Sequence, residues 1–189
     1  FLDRYKPKFF VFENVIGLLS AGNSKYLKSM ITLFEKFGYG VEYKIVYSMN
    51  SFLELTINAT NAIHEYQKTI LKGVDISGKR MNAAPAFWGN TQLQFNWSNH
   101  LNSSIEWQHQ SSYFMDEINE TKYPGFNVLN LRTNYTINKH GFWLHVLNAS
   151  NVFYSTMATR NFSVKGNAAY SYYIGEPRSI VIGWKYDLF

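Results

Sequence analysis

FWGNTQLQFNW, residues 87–97, decides how the chain has to be read. Phe87, Gly89, Thr91, Leu93, Phe95 and Trp97 fall on one side of an extended backbone, and Asn90, Gln92, Gln94 and Asn96 on the other. Side chains alternate faces in a strand, so a period of two held this long predicts one. The alternation recurs over 101–115, where Leu101, Ile105, Trp107, Tyr113 and Met115 oppose Asn102, Ser104, Glu106, Gln108, Gln110 and Ser112. Over 128–138 it sets Leu129, Leu131, Tyr135 and Ile137 against Asn130, Arg132, Asn134 and Thr136. The last strand puts Ile180, Ile182, Trp184, Tyr186 and Leu188 on one face.

Strands of this length exceed the usual five or six or so residues. A soluble sandwich alternates as well. Length, aromatic-rich apolar faces and amide-rich polar faces favour instead a membrane barrel, apolar toward lipid and polar toward the lumen. The connections agree. Short turns are expected near Ser98-Asn99-His100 and Asn138-Lys139-His140-Gly141, and long connections at 62–85, 117–125 and 149–175. Short turns on one side and long loops on the other are the habit of such barrels. With a strand at 51–61 the count is six, and the last strand ends on the short-turn side.

Composition narrows the chemistry. Aromatic residues make up 18% of the chain, and aromatics favour pleated, half-buried surfaces. There is no cysteine, which removes disulfides, thiolate metal sites and a cysteine nucleophile together. The net charge of +5 is spread along the chain: residues 1–50 hold seven Lys/Arg against four Asp/Glu, so no dense basic patch marks nucleic-acid binding. No stretch approaches the roughly 18 apolar residues of a spanning helix, so membrane contact falls to strands. His64, His100, His109, His140 and His145 lack the paired spacing of metal ligands, and no metal site is expected. Asp116, Glu117 and Glu120 form an acidic cluster read as a solvated loop tip. The seven Asn-x-Ser/Thr triplets follow from Asn-rich polar faces.

Residues 1–50 have a different grammar. Lys8 to Phe12 is a short apolar run that suits a buried strand, and Glu13-Asn14-Val15 breaks it at the carboxyl end, where open α/β sheets place their sites. Glu13 in that position either caps the following loop or acts on a ligand. Leu27, Met30, Ile31, Phe34 and Phe37 have helical spacing, with Ser24 as N-cap and Gly38 past the end, which predicts a helix over about 24–37. Val41 to Tyr47 is extended again. The expected unit is β-α-β over residues 8–47.

KPKFFVFENVIGLLS, a helix and then FGYGVEYKIV, about residues 1–48, resemble the region around the ENV motif of DNA cytosine-5 methyltransferases. The resemblance implies that Glu13 contacts N3 of a flipped-out cytosine, that Asn14 and Val15 hold it, and that S-adenosylmethionine is the methyl donor. A thiolate nucleophile, a Gly-rich cofactor loop after a first strand and an arginine-rich motif are all missing, so this segment is expected to be inactive.

Residues 51–189, most clearly from about residue 60, resemble the C-terminal barrel strands of TonB-dependent outer-membrane receptors. The segments that carry this are GVDISGKRMNAAP, YFMDEINETKYPGFNVLNLRTNY, VLNASNVFY and GEPRSIVIGWKYDLF. Asn148, Asn151 and Tyr154 match the family's Asn-x-x-Asn/Asp-x-x-Tyr strand end, and Gly175-Glu176-Pro177-Arg178 its entry to the last strand. Phe189 falls one residue out of phase with Leu188, a departure from the terminal assembly signal.

The expectation is therefore a composite chain of two parts, 1–50 and 51–189. Its fold class is mainly β: an antiparallel up-and-down meander from a transmembrane β-barrel, preceded by a small β-α-β fragment. The two parts should share little buried surface. The resemblance implies uptake of a ligand such as an iron chelate, with the ligand-binding residues unknown. Implied partners are outer-membrane lipid, the barrel assembly machinery, and the remaining strands and plug of a full barrel of about 22 strands. Localisation would be the outer membrane for 51–189 and the cytoplasm for the family of 1–50. No cofactor is expected. DNA and S-adenosylmethionine belong to the alternative reading, a methyltransferase fragment.

Overall fold

The computed structural model describes residues 2–9, 25–161 and 169–188. A short helical turn, α1 (Leu2–Tyr5), precedes the amphipathic helix α2 (Lys25–Lys36). Seven strands follow in one antiparallel sheet: β1 (Val41–Ser48), β2 (Leu53–Asn61), β5 (Phe87–Asn96), β6 (Leu101–Gln110), β9 (Phe126–Ile137), β10 (His140–Leu147) and β13 (Ser179–Tyr186). They lie in that spatial order, each beside its neighbour in sequence. Three hairpins sit in the long connections: β3 (Ile70–Leu71) with β4 (Val74–Asp75), β7 (Tyr113–Phe114) with β8 (Lys122–Tyr123), and β11 (Ser155–Arg160) with β12 (Tyr170–Ile174).

The ladders assign every face. Leu55 pairs with Leu93, Leu93 with Ile105, Ile105 with Leu131, Leu131 with Val146 and Val146 with Ile180. Cross-strand partners share a face, so the apolar residues form one continuous surface. Leu93, Phe95, Trp107, Leu131, Trp184 and Tyr186 lie on it, and Gln92, Gln94, Gln108, Arg132 and Lys185 lie opposite, as the alternation requires. Trp88, Trp143 and Val181 interrupt the polar side.

Connections at one end are short: 49–52, 97–100 and 138–139. Those at the other are long: 62–86, 111–125 and 148–178. In the turn at 97–100, the amides of Trp97 and Ser98 donate to Leu101 O, and Ser98 Oγ accepts from the amides of His100 and Leu101. The turn at 49–52 is built the same way: Met49 and Asn50 donate to Leu53 O, and Asn50 Oδ1 accepts from Phe52 and Leu53.

Several expectations need correction. The sheet has seven strands, because β1 pairs antiparallel with β2 along Val41↔Asn61 to Ser48↔Glu54 instead of closing a β-α-β unit. Its own alternation makes this fit: Val41, Tyr43, Ile45 and Tyr47 continue the apolar face. The two parts of the chain therefore share a ladder across residue 50. Lys8 and Phe9 carry no strand, and residues 10–12 lie outside the described residues, as does Ser24. The strand read over 101–115 ends at Gln110; Tyr113 keeps the period, but it and Phe114 pair with Tyr123 and Lys122 in a separate hairpin. The helix end is as expected. Gly38 at φ 84° places its amide on Glu35 O and lets Tyr39 N–H reach Phe34 O, a left-handed cap that glycine adopts without strain. No residue of α2 is buried; Phe34 is half-buried and Phe37 exposed.

The face assignment has a measurable consequence. Leu144, mid-strand on the apolar face, should lose about 2–4 kcal/mol as Leu144→Arg in denaturant titrations of chain refolded into lipid vesicles. Thr56→Arg, on the polar face, should cost less than about 1 kcal/mol. Equal losses would contradict the faces.

Candidate functional site: an apolar sheet face and a three-loop hub

Burial across the sheet is inverted with respect to polarity. On β6, Ser104 and Glu106 are 8% and 9% exposed, whereas Ile105 and Trp107, which alternate with them, are 40% and 46% exposed. Ile182 on β13 reaches 78%. A water-soluble sheet hides its apolar face against a second layer; this one presents it. The ten residues of β5 span about 33 Å at roughly 3.3 Å each, or about 25 Å at the roughly 40° tilt of membrane barrels, which equals their apolar band.

Aromatic rings collect near both rims of that band. At the short-turn end Phe52 stands 4.9 Å from Trp97, Phe95 5.7 Å from Trp97, and His140 5.0 Å from Tyr186. Trp184 Nε1–H donates to His140 Nδ1 at 3.1 Å. Toward the long connections Phe87 and Trp107 flank His109 at 5.4 and 5.5 Å. Amphipathic rings at both edges of an apolar band suit two lipid–water interfaces.

The polar face carries its own network. Glu106 accepts from Asn90, from Asn130 at 3.0 Å and from Arg132, so this buried carboxylate has partners from the strand on either side. Further along, Asn134 donates to Asn102 at 3.0 Å.

Beyond the sheet, the long connections fold onto each other. Tyr113, Met115, Tyr123 and Ala158 form the buried cluster, with Ala83 and Phe126 against it. Tyr113 Oη accepts from Ala158 N–H at 2.6 Å, and Tyr123 Oη from Ser155 N–H at 2.7 Å. Asn119 exchanges two bonds of 2.8 Å with the backbone of Arg80, and Lys79 Nζ donates to Ile118 O at 2.6 Å. All three long connections thus meet in one hub.

Asp116 is its centre and is wholly buried. It takes the amides of Glu120 and Thr121 at 2.9 Å each and pairs with Arg160 at 3.3 Å, while Arg160 also reaches Glu120 at 2.9 Å. The solvated loop tip expected of this cluster is thus only Glu120; Asp116 is structural. Burial pushes the Asp116 carboxyl up, but the two amides and Arg160 outweigh it and hold it below its ordinary value.

The strand-end motif is also explained. Asn148, 2% exposed and at φ 47°, donates from Nδ2 to Val152 O and Glu176 O and accepts from Val152 N–H on Oδ1. Asn151 also takes a left-handed φ of 53°, which asparagine tolerates well. Gly175 lies so close to Tyr154 that a Cβ there would collide with the ring. Glu13, Asn14 and Val15 lie outside the described residues, as does Phe189. Among the described residues no group of three or more His, Asp or Glu comes together to hold a metal, and no helix is long and apolar enough to cross a membrane. Arg160, Asn119 and Tyr113 escaped sequence reasoning, since their partners lie 39 to 45 residues away, in a different loop.

An antiparallel meander with an exposed apolar face, short turns at one end and folded loops at the other decides the architecture. The fold is that of the C-terminal barrel strands of TonB-dependent receptors. The sheet is similar to the ferric yersiniabactin uptake receptor FyuA from Yersinia pestis, with a TM-score of 0.63 and 15% identity over 79% of this chain and 23% of that one. It is similar to the siderophore receptor PiuA from Acinetobacter baumannii, with a TM-score of 0.59 and 16% identity over 76% of this chain and 20% of that one. It is likewise similar to the ferric citrate transporter FecA in its unliganded form, with a TM-score of 0.59 and 17% identity over 77% and 23%. The chain thus spans about a fifth of the length of these TonB-dependent barrels. These neighbours are receptors and transporters, not enzymes. Separately, residues 1–51 match the family of C-5 cytosine-specific DNA methylases. Among curated proteins nothing matches.

The hub should be sensitive to acid. Because the folded Asp116 value is depressed, its contribution is complete above the ordinary value of 3.8 and disappears as pH falls below it through the lower folded value. Protease resistance of the loops should therefore hold at neutral pH and fail below about pH 4. Asp116→Asn should lose part of that resistance already at neutral pH and flatten the acid limb.

Proposed function

We propose that residues 51–189 are part of the wall of an outer-membrane receptor of the TonB-dependent class, whose full form takes up a ligand such as an iron chelate. The observation that carries this is the inverted burial of β6, where Ile105 and Trp107 are exposed and Ser104 and Glu106 are not. The partners of this reading are outer-membrane lipid, the barrel assembly machinery, and further strands with a plug to close the pore. Among the described residues seven strands leave both sheet edges open, so the polypeptide by itself is proposed to be inactive in transport and to need no cofactor. The hub would face the exterior, and the Glu106 network the lumen. Reconstituted into liposomes, the chain should give no ligand-dependent uptake of ferric chelates above protein-free vesicles. Saturable uptake by this polypeptide alone would overturn the proposal of inactivity.

A second reading is favoured by the match of residues 1–51. There Glu13 would contact cytosine N3, with Asn14 and Val15 holding it, in a cytoplasmic enzyme that methylates DNA from S-adenosylmethionine. The described residues fit that donor poorly: Gly38 caps α2 and Gly40 leads into β1, so neither follows a first strand to cradle it. No catalytic step is derived through it. Titration calorimetry with S-adenosylmethionine and with cytosine-containing duplex should show no specific heat; measurable binding would favour this second reading.

A further inference from the structure

We infer that β1, although it belongs to the methylase-like stretch, works as a strand of the barrel wall, and that it therefore carries α2 to the same side of the membrane as the long connections. The sidedness rests on the membrane reading proposed above; the pairing does not.

Three independent features support the pairing. The β1–β2 ladder runs unbroken over eight partners without a bulge. Residues from an α/β core strand, buried on both faces, would read as a continuous apolar run; β1 instead alternates Val41, Tyr43, Ile45 and Tyr47 with Glu42, Lys44 and Ser48, broken only at Val46. The third feature is the turn at the join, where Asn50 plays the part that Ser98 plays between β5 and β6, and Phe52 packs on Phe95 at 5.8 Å and on Trp97. Side chains also bridge the pair: Ser48 Oγ donates to Glu54 at 3.2 Å. The sequence boundary near residue 50 is thus a hairpin tip, and the structural boundary falls at Gly38–Gly40.

Direction follows from topology. Val41 pairs with Asn61, whose strand leads into the long connection 62–86, and Ser48 pairs with Glu54 beside a short turn. β1 accordingly enters from the long-loop side, and α2, which precedes it by a few residues, emerges there. In a receptor that side is outside the cell, away from both DNA and S-adenosylmethionine. On this arrangement α2 is an external appendage.

The absence of cysteine makes both halves testable in the full chain. In detergent-refolded protein, Val46→Cys with Thr56→Cys, which are register partners, should form at least about tenfold more disulfide than Val46→Cys with Thr60→Cys, which lies four residues out of register. Equal yields would overturn the pairing. For sidedness, single variants Ser29→Cys, Gln67→Cys and Asn99→Cys, all at exposed positions, are exported to a bacterial outer membrane and treated with an impermeant maleimide. Gln67→Cys and Ser29→Cys should label in intact cells, and Asn99→Cys only after permeabilisation. If Ser29→Cys follows Asn99→Cys, the inference fails while the barrel reading stands. If Gln67→Cys and Asn99→Cys behave alike, the barrel reading fails and takes the sidedness with it, leaving the disulfide pairs to decide the strand.

Discussion

The constraint on which the proposed membrane wall depends is that backbone amides in a hydrocarbon layer have no water to turn to. An antiparallel ladder answers it by pairing each strand with two neighbours, and the side chains are then free to sort by face. That freedom explains why this sheet has no core. Its apolar side is offered to the surroundings, its polar side closes in networks such as Glu106 with Asn90, Asn130 and Arg132, and the buried apolar cluster sits in the loops at Tyr113, Met115, Tyr123 and Ala158. The two edges, β1 and β13, are where the ladder stops, and there the same constraint is left unmet among the described residues.

Period-two alternation made the sheet readable. It gave Leu93, Phe95, Trp107, Leu131, Trp184 and Tyr186 their side and Gln92, Gln94, Gln108, Arg132 and Lys185 the other, because a strand's faces depend only on parity. Parity says nothing about partners. Val41 to Ser48 had a legible extended pattern, but whether it pairs with a parallel strand before it or with β2 after it is a matter of tertiary context. The family resemblance pointed to the first, and the ladder followed the second. Strand ends failed for a related reason: Tyr113 keeps the period of β6, yet the chain leaves the sheet before it to make a hairpin with Tyr123.

The hub was not legible at all. Asp116 and Arg160 are 44 residues apart, and Asn119 and Arg80 are 39 apart. Nothing local distinguishes a carboxylate that will be buried among amides from one that will be solvated, which is why Asp116 and Glu120 looked alike in sequence and are opposite in structure. By contrast the Asn148–Asn151–Tyr154 spacing was legible through resemblance, and the structure supplies its cause in two left-handed asparagines and a ring laid on Gly175.

Asn148 also bears on how the last strand reaches the sheet. Six of the seven strands zip to partners through local hairpins or modest loops, but β13 must cross residues 148–178 to reach β10. Relative to the two-residue turn between Ile137 and His140, closing so long a loop costs about 2 kcal/mol more in chain entropy. The Asn148 side chain ties the two ends of that loop together by holding Glu176 O beside its own strand end. With the loop base pinched, β13 begins its ladder three residues later, at Ser179, as though from a tight turn. In the folded chain the most distant ladder of the sheet is thus anchored locally, by a bond three residues from where it begins.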